Sequence, residues 1–434
     1  MHRSIKLCFL NRSIAFGLGL IASSPASANP QGLDVVAGTV SLGIPNSQTL
    51  EVTNSPGAIL NWQSFDIGAG ELTRFLQQDA ASAVLNRVTT QNSSEIFGQL
   101  LSNGQVFLIN SAGILIGRDA VIDTAGLVLS TLNISNADFA AGRFEFKGGP
   151  SSGSITNHGY IKSAPGGEIV LIAPKIVNAP ESGNAKSGLI ESPEGELILA
   201  AGYSMTLSSL DDPDISFEVR APENEVVNLG RLLAQGGTAS VLAGAIRHSG
   251  EINADSIGVN DAGHIVLKAA NTIELAKSSI TTASSTSGAG GDIEITAGTE
   301  SATGRVYQLG KVHADGVTGG EVALAADHVL LTGVVSARGQ TDGGEIGITA
   351  AKEIVATNQS SVDASGDTGA GGTVTIDGGQ GLFSSGRVRA SGATGGTIHM
   401  LGEDIGLADA KLDASGAHAG GAIRVGGGYQ GGEG

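Results

Sequence analysis

Cysteine, aromatic side chains, charge and long apolar runs are all scarce in this chain, and each shortage closes off a class of protein. The one cysteine, Cys8, lies in a segment that reads as a secretory leader. Arg3, Lys6 and Arg12 make the start basic, Ile14 to Ala22 is apolar, and Ala26-Ser27-Ala28 offers a small-x-small cleavage site. Cleavage is expected between Ala28 and Asn29, which leaves a mature chain without a thiol or a disulfide. An exported protein is free to use disulfides, and their absence suits a chain that crosses a second barrier as an unfolded thread. No later run reaches the roughly 18 apolar residues of a membrane helix. Charged residues make up 15% of the chain. Without Arg3, Lys6 and Arg12 the balance is 21 basic to 42 acidic residues, which excludes nucleic acid as a natural partner because phosphates need a basic face.

What the chain does have is glycine, 67 residues, and 41% hydrophobic residues of which few are aromatic. Val, Ile, Leu and Ala must therefore build the core. From about Ala201 one pattern recurs: a Gly-Gly or Ala-Gly pair, an alternating strand, a polar gap and a second short strand closing on a small residue and glycine. "AGHIVLKA" at Ala262, "GGDIEITAG" at Gly290, "GGEVALAA" at Gly319, "GGEIGITAA" at Gly343, "GGTVTIDGG" at Gly371, "GGTIHMLG" at Gly395 and "GGAIRVGG" at Gly420 carry it. The second glycine returns every 24 to 29 residues. Between these lie "KVHADG", "VVSARG", "SVDASG", "RVRASG" and "KLDASG". The glycines are read as turn residues that supply positive φ without strain. A propeller blade needs about 40 residues and four strands, so the period predicts one turn of a parallel β-helix. The expected fold is all-β, a right-handed parallel β-helix of some 15 coils and about 70 Å, with an N-terminal capping region.

The stretch "GQVFLINSAGILIGRDAVIDTAGLVLS" from Gly104 is apolar and β-branched, yet Asn110-Ser111-Ala112-Gly113 interrupts it. In a solenoid that interruption is a corner: Asn and Gly accept the backbone angles of a tight turn, and Ile114 opens the next face. The wider segment carries more. "ILNWQSFDIGAGELTRF" at Ile59, "VLNRV" at Val84, "SEIFGQLLSNGQVFLINSAGILIGRDAVIDTAGLVLSTLNISNADFAAGRFEF" at Ser94 and "GGEIVLIAPKIVN" at Gly166 together resemble the N-terminal secretion domain of filamentous-haemagglutinin-type exoproteins of two-partner secretion systems. The resemblance is strongest over residues 33–146 and weaker to 254. It implies recognition in the periplasm by an outer-membrane β-barrel transporter with periplasmic docking domains, followed by threading outward to the medium or cell surface. The family's Asn-Pro-Asn-Gly-Ile motif falls on Asn110, Ser111, Ala112, Gly113 and Ile114, with Ser111 and Ala112 departing from it. A second family motif, Asn-Pro-Asn-Leu, is absent before "VLNRV". For Asn110, turn geometry outweighs direct recognition as the expected role.

Asp211, Asp212 and Asp214 around Pro213 read as a solvated turn rather than a cation or acid-base site. "GPSSG" at Gly149 formally matches the nucleophile pattern, which needs a strand-to-helix elbow, and no helix is foreseen there. The eight histidines show no metal-ligand spacing, so no metal, cofactor or catalytic residue is expected. Gly117-Arg118-Asp119 is not an integrin-type Arg-Gly-Asp, Trp62 reads as a packing residue of the cap, and Asn92 and Asn133 begin Asn-x-Ser sequons. The predicted organisation is a leader over 1–28, a secretion domain over 29–254 and β-helical repeats over 255–434 that continue in a longer protein. The expected role is an adhesin-like surface protein, not an enzyme, that meets a host-cell or glycan receptor. Alternatives are a β-helical polysaccharide-active enzyme and a toxin, cytolysin or haem scavenger using the same export route.

Overall fold

In the computed structural model, which describes residues 29–149, 151–207, 215–218, 224–257 and 260–426, the chain winds into parallel coils of three strands each. The coil Gln105–Ile109, Ile114–Ile116, Val121–Thr124 is followed by Gly126–Ser130, Ile155–Asn157, Tyr160–Ser163, and each strand pairs in parallel with its counterpart. The first two faces merge into one bent 23-stranded sheet, because Thr238–His248, His264–Leu275, Glu321–Leu331 and Glu345–Ala356 run unbroken across the corner. The third face is a 15-stranded sheet, which at about 4.8 Å per step gives a rod of roughly 65 Å. The parallel β-helix expected from the repeat is the fold observed.

Alternation explains the interior. Along the first face the inward column runs Val106, Leu127, Ile169, Leu197, Ala239, Ile265, Ile293, Val322, Ile346, Val374 and Ile398, each in register with the next. All are buried in one core. The N-terminal end is closed by two antiparallel pairings, Asp34–Ala37 on Ala58–Trp62 and Val40–Asn46 on Thr49–Asn54. Under this cap Trp62, Phe65 and Phe75 fill the first coils, with ring centroids 5.9 and 6.4 Å apart. Trp62 is thus the packing residue expected, and its Nε1 donates to Asn86 Oδ1 at 3.0 Å.

The Gly-Gly marker has a different cause from the one expected. Gly263, Gly291, Gly320, Gly344, Gly372, Gly396 and Gly421 do not take positive φ. They form a column in which a Cβ on each would fall on the carbonyl oxygen of the glycine one coil earlier. Close approach of coils, not turn conformation, demands glycine here. The hydrogen bonds made across that gap, such as Glu321 N to Gly291 O at 3.1 Å and Glu345 N to Gly320 O at 3.0 Å, show why the coils come so near.

The irregularity before Ala201 also has a structural reason. Two coils carry insertions between their first and second faces, and these build a separate antiparallel sheet of Asn133–Ile134, Phe144–Lys147, Ser204–Leu207 and Ile215–Glu218. A short helix, Asn136–Ala140, is capped by Ser135, whose side chain accepts from Asp138 N. The sheet lies on the outside of the first face and encloses a second core containing Leu85, Phe107, Ile109, Val128, Ile172, Phe139, Phe146 and Met205. Phe107 packs edge-on to Phe139 at 5.2 Å and stacks with Phe144 at 5.6 Å. Arg87, itself on the first face, ties the insertion down by donating to Asn133 Oδ1, Asn136 Oδ1 and Ile134 O. Burial lowers the pKa of its guanidinium below the usual arginine value.

Candidate functional site

The corner at Asn110 is built by the ends of two strands, Gln105–Ile109 and Ile114–Ile116. Gly113 N donates to Asn110 O at 3.1 Å, closing a four-residue turn, and Ala112 N donates to Asn110 Oδ1 at 3.0 Å. The Asn110 amide donates to Asn92 O at 2.9 Å and to Ser94 Oγ at 3.0 Å in the preceding coil. Its main-chain N–H reaches forward to Ser130 O at 2.9 Å, while Gly153 N donates to Ser111 O and Ile114 N to Ser154 O. Three successive coils therefore meet at this turn. Asn110 has no exposed surface; only Ser111 at the corner is well exposed.

Each side chain suits its place. Asparagine alone among the small residues offers two donors and an acceptor, and all are engaged, so aspartate would lose both donors and bury a charge. Gly113 sits at φ +126°, a conformation side chains avoid. Ile114 enters the core. The Ser111 N–H has no hydrogen-bond partner among the described residues, and it occupies the second position of the turn, where proline is favoured. That accounts for how a proline in the family and a serine here can serve one geometry.

A second polar feature was not foreseen. At the end of the second face Asn157, Asn178, Asn228 and His248 stack coil on coil. Asn157 Nδ2 donates to Asn178 Oδ1 at 2.8 Å, Asn178 Nδ2 to Asn228 Oδ1 at 3.0 Å, and Asn228 Nδ2 meets His248 Nδ1 at 3.2 Å. All four are buried, and desolvation pushes the imidazole of His248 down to about 4, against smaller upward effects from the contacts to Ile280 and Asn228. The signal was present in sequence as "SITNHG", "KIVNAP", "VVNLG" and "IRHSG", each an apolar strand ending in a polar residue before a turn.

Ala28 and the acidic trio Asp211, Asp212 and Asp214 lie outside the described residues. Asn29 is buried, its Oδ1 accepting from Thr73 Oγ1 at 3.0 Å. Around "GPSSG" the flanking elements Phe144–Lys147 and Ile155–Asn157 are both strands, so among the described residues no strand-to-helix elbow is built there. Asn92 and Asn133 are exposed.

Comparison with known proteins decides the family. Residues 26–232 match the model of the TPS secretion domain. The solved HMW1 secretion domain from Haemophilus influenzae is 31% identical, with a TM-score of 0.69, and the match covers 91% of this chain and 100% of that one. The chain belongs to the exoproteins of two-partner secretion systems. Two further relatives, both named heme/hemopexin-binding protein from Haemophilus influenzae, are 32% identical. One aligns over 215 residues, 47% of this chain and 23% of that protein, and the other over 118 residues, 27% of this chain and 13% of that protein. The chain thus matches less than a quarter of the length of these curated relatives. As a member of the family, this exoprotein is exported through the periplasm, is secreted or held at the cell surface, and presents its secretion domain to an outer-membrane transporter. Its relatives are exoproteins rather than known enzymes.

Proposed function

We propose that residues 29–254 act as the transporter-recognised secretion domain, and that the coils from 255 onward form a stiff adhesive surface directed at a host-cell or glycan receptor. The observation that carries this division is the second core, which among the described residues accompanies the first face as far as Leu242. Within the secretion domain, Asn110, Ser111, Ala112, Gly113 and Ile114 serve export through the geometry of the corner, since the Asn110 side chain is wholly engaged inside the protein. The docking partner is a β-barrel with periplasmic domains, and the periplasmic leader is cleaved between Ala28 and Asn29.

The test is secretion with and without the partner barrel. Release that depends on the barrel supports the reading; release without it overturns the assignment of residues 29–254. Asn110→Ala separates the two roles of the motif: if it is retained in the periplasm and its purified form has lost stability, geometry is the cause. Retention with unchanged stability assigns direct recognition instead. A second reading, a haem scavenger, draws on the names of the two Haemophilus relatives. It is checked by titrating the purified chain with haem and following the Soret band, and an unchanged band removes it.

A further inference from the structure

The turns that follow the third face from Asp255 to Asp367 stack in register, with Ser256 N donating to Ser284 O, Ser285 N to Asp315 O, Gly316 N to Arg338 O and Gly339 N to Ser365 O, all at 2.9 to 3.0 Å. They enclose a groove of about 740 Å³ that runs along the rod axis. Every lining residue is polar or glycine: Asp255, Thr286, His313, Arg338, Gln340 and Asp367 are among them, and at Gly316 and Gly339 a Cβ would meet neighbouring backbone. We infer that this groove binds a linear, uncharged glycan lying parallel to the rod axis. The inference rests on the reading of the later coils as a display surface and names the ligand class and the place on it.

Three observations lead there. The first is repetition: the groove offers hydrogen-bonding groups at each coil, about 4.8 Å apart, and an extended pyranose chain advances by a similar distance per sugar. The stretch from Asp255 to Asp367 crosses four steps, enough for about four sugars. The second is charge. Three carboxylates, Asp255, Asp315 and Asp367, line the groove against one guanidinium, Arg338, and His313 has its pKa lowered, chiefly by burial, so the groove is net negative and repels uronates. That separates it from an enzyme acting on acidic polysaccharide. The third is occupancy of the carboxylates. Asp255 Oδ1 accepts from Thr282 Oγ1 and Ser284 N, both at 2.6 Å, and Oδ2 from Asn253 Nδ2 at 3.1 Å. Asp315 is held by Arg338 through its main-chain N–H at 2.8 Å and Nη2 at 2.9 Å. Protein donors thus saturate both carboxylates, which fixes the walls and leaves neither to protonate a leaving group. Three hydrogen-bonding residues stay exposed at the rim: Thr286, Asp367 and Gln340, whose Nε2 donates to Thr286 O at 3.3 Å.

The experiment is titration calorimetry on the chain purified from the medium. The probes are linear oligosaccharides of glucose in both α and β linkage, mannose, galactose and N-acetylglucosamine, with an oligogalacturonate for contrast. At least one neutral series is expected to bind, more tightly as it lengthens to about four sugars, and the uronate not to bind. Gln340→Ala and Asp367→Ala, both at exposed positions, should each weaken binding about five-fold with the unfolding midpoint unchanged. No binding across the neutral panel, preference for the uronate, or variants that bind like the parent would each overturn the proposal. Cell adherence distinguishes it from the reading beneath it: adherence that survives both substitutions ends the groove's role and keeps adhesion, whereas a parent chain that binds oligosaccharide but no cells keeps the groove and ends adhesion.

Discussion

One column of side chains divides the molecule in two. On the outward side of the first face, Ile59, Leu85, Phe107, Val128, Val170 and Ile198 follow one another coil by coil, all buried in the second core. The same column continues as Ser240, Val266, Glu294, Ala323, Gly347, Thr375, His399 and Arg424. The inward column beside it is apolar throughout. The two halves of the rod therefore share one architecture and differ in how many sides of a single sheet are dry. The front half has a layer on each side of that sheet; the rear half leaves the outside to water.

The largest effect that would sharpen this contrast lies on that column. Phe107→Ala is expected to cost about 3–5 kcal/mol, whereas Thr375→Ala, five coils beyond Ser240 on the same column, should stay within about 0.5 kcal/mol. Because a long repeat array need not unfold in one step, local hydrogen exchange is the measurement to use. Equal effects at the two positions would erase the distinction. Next comes pH. The His248 imidazole has a folded pKa of about 4 against an ordinary value near 6.5, so its contribution is complete above about pH 6.5 and is lost as pH falls toward 4. The loss amounts to about 3 kcal/mol in the front half. His248→Asn would extend the asparagine stack and should abolish this dependence in denaturant midpoints measured from pH 7 to 4; a persistent slope would assign it to other groups. Asn110→Ala strands Asn92 O, Ser94 Oγ and Ala112 N and should cost about 2 kcal/mol, read as faster exchange in the coils on either side of the corner. Smallest is Ser111→Pro, which should be neutral or raise the midpoint by less than about 1 kcal/mol. A large loss would mean that the Ser111 N–H has a role the fold does not reveal.

Much of this was legible in the sequence, and the limits are physical. The period of 24 to 29 residues and the alternating strands identify the solenoid, because stacking coils imposes the same inside-outside order on every turn. The corner at Asn110 was equally plain from its residues. The second layer was not read, although it left a trace: "QVFLI", "GLVLS", "EIVLIA" and "ELILAA" are apolar without interruption, while "DIEITA" and "TVTID" alternate. An unbroken apolar strand signals burial on both faces, but the segments that cover it, Phe144–Lys147 and Ser204–Leu207, come from separate insertions and pair only in three dimensions. The asparagine stack is hidden for the same reason. The second insertion lengthens the spacing from Asn178 to Asn228 to 50 residues, whereas Asn157 and Asn178 are 21 apart. The glycine markers were found and their cause misread, since sequence reveals that a side chain is excluded but not by what.

That glycine column also acts as a proofreader. A coil that docked with the residue after the pair in place of the second glycine would bring a side chain, such as that of Asp292, Glu321 or Glu345, against the carbonyl oxygen of the coil before it, in a space that admits only hydrogen. A one-residue slip would also turn the apolar residues of that strand from the core to water, so burial and the glycine column specify the same register. The column makes a slip in that direction sterically intolerable at each turn, so near-identical pieces stack with a directional check on their alignment.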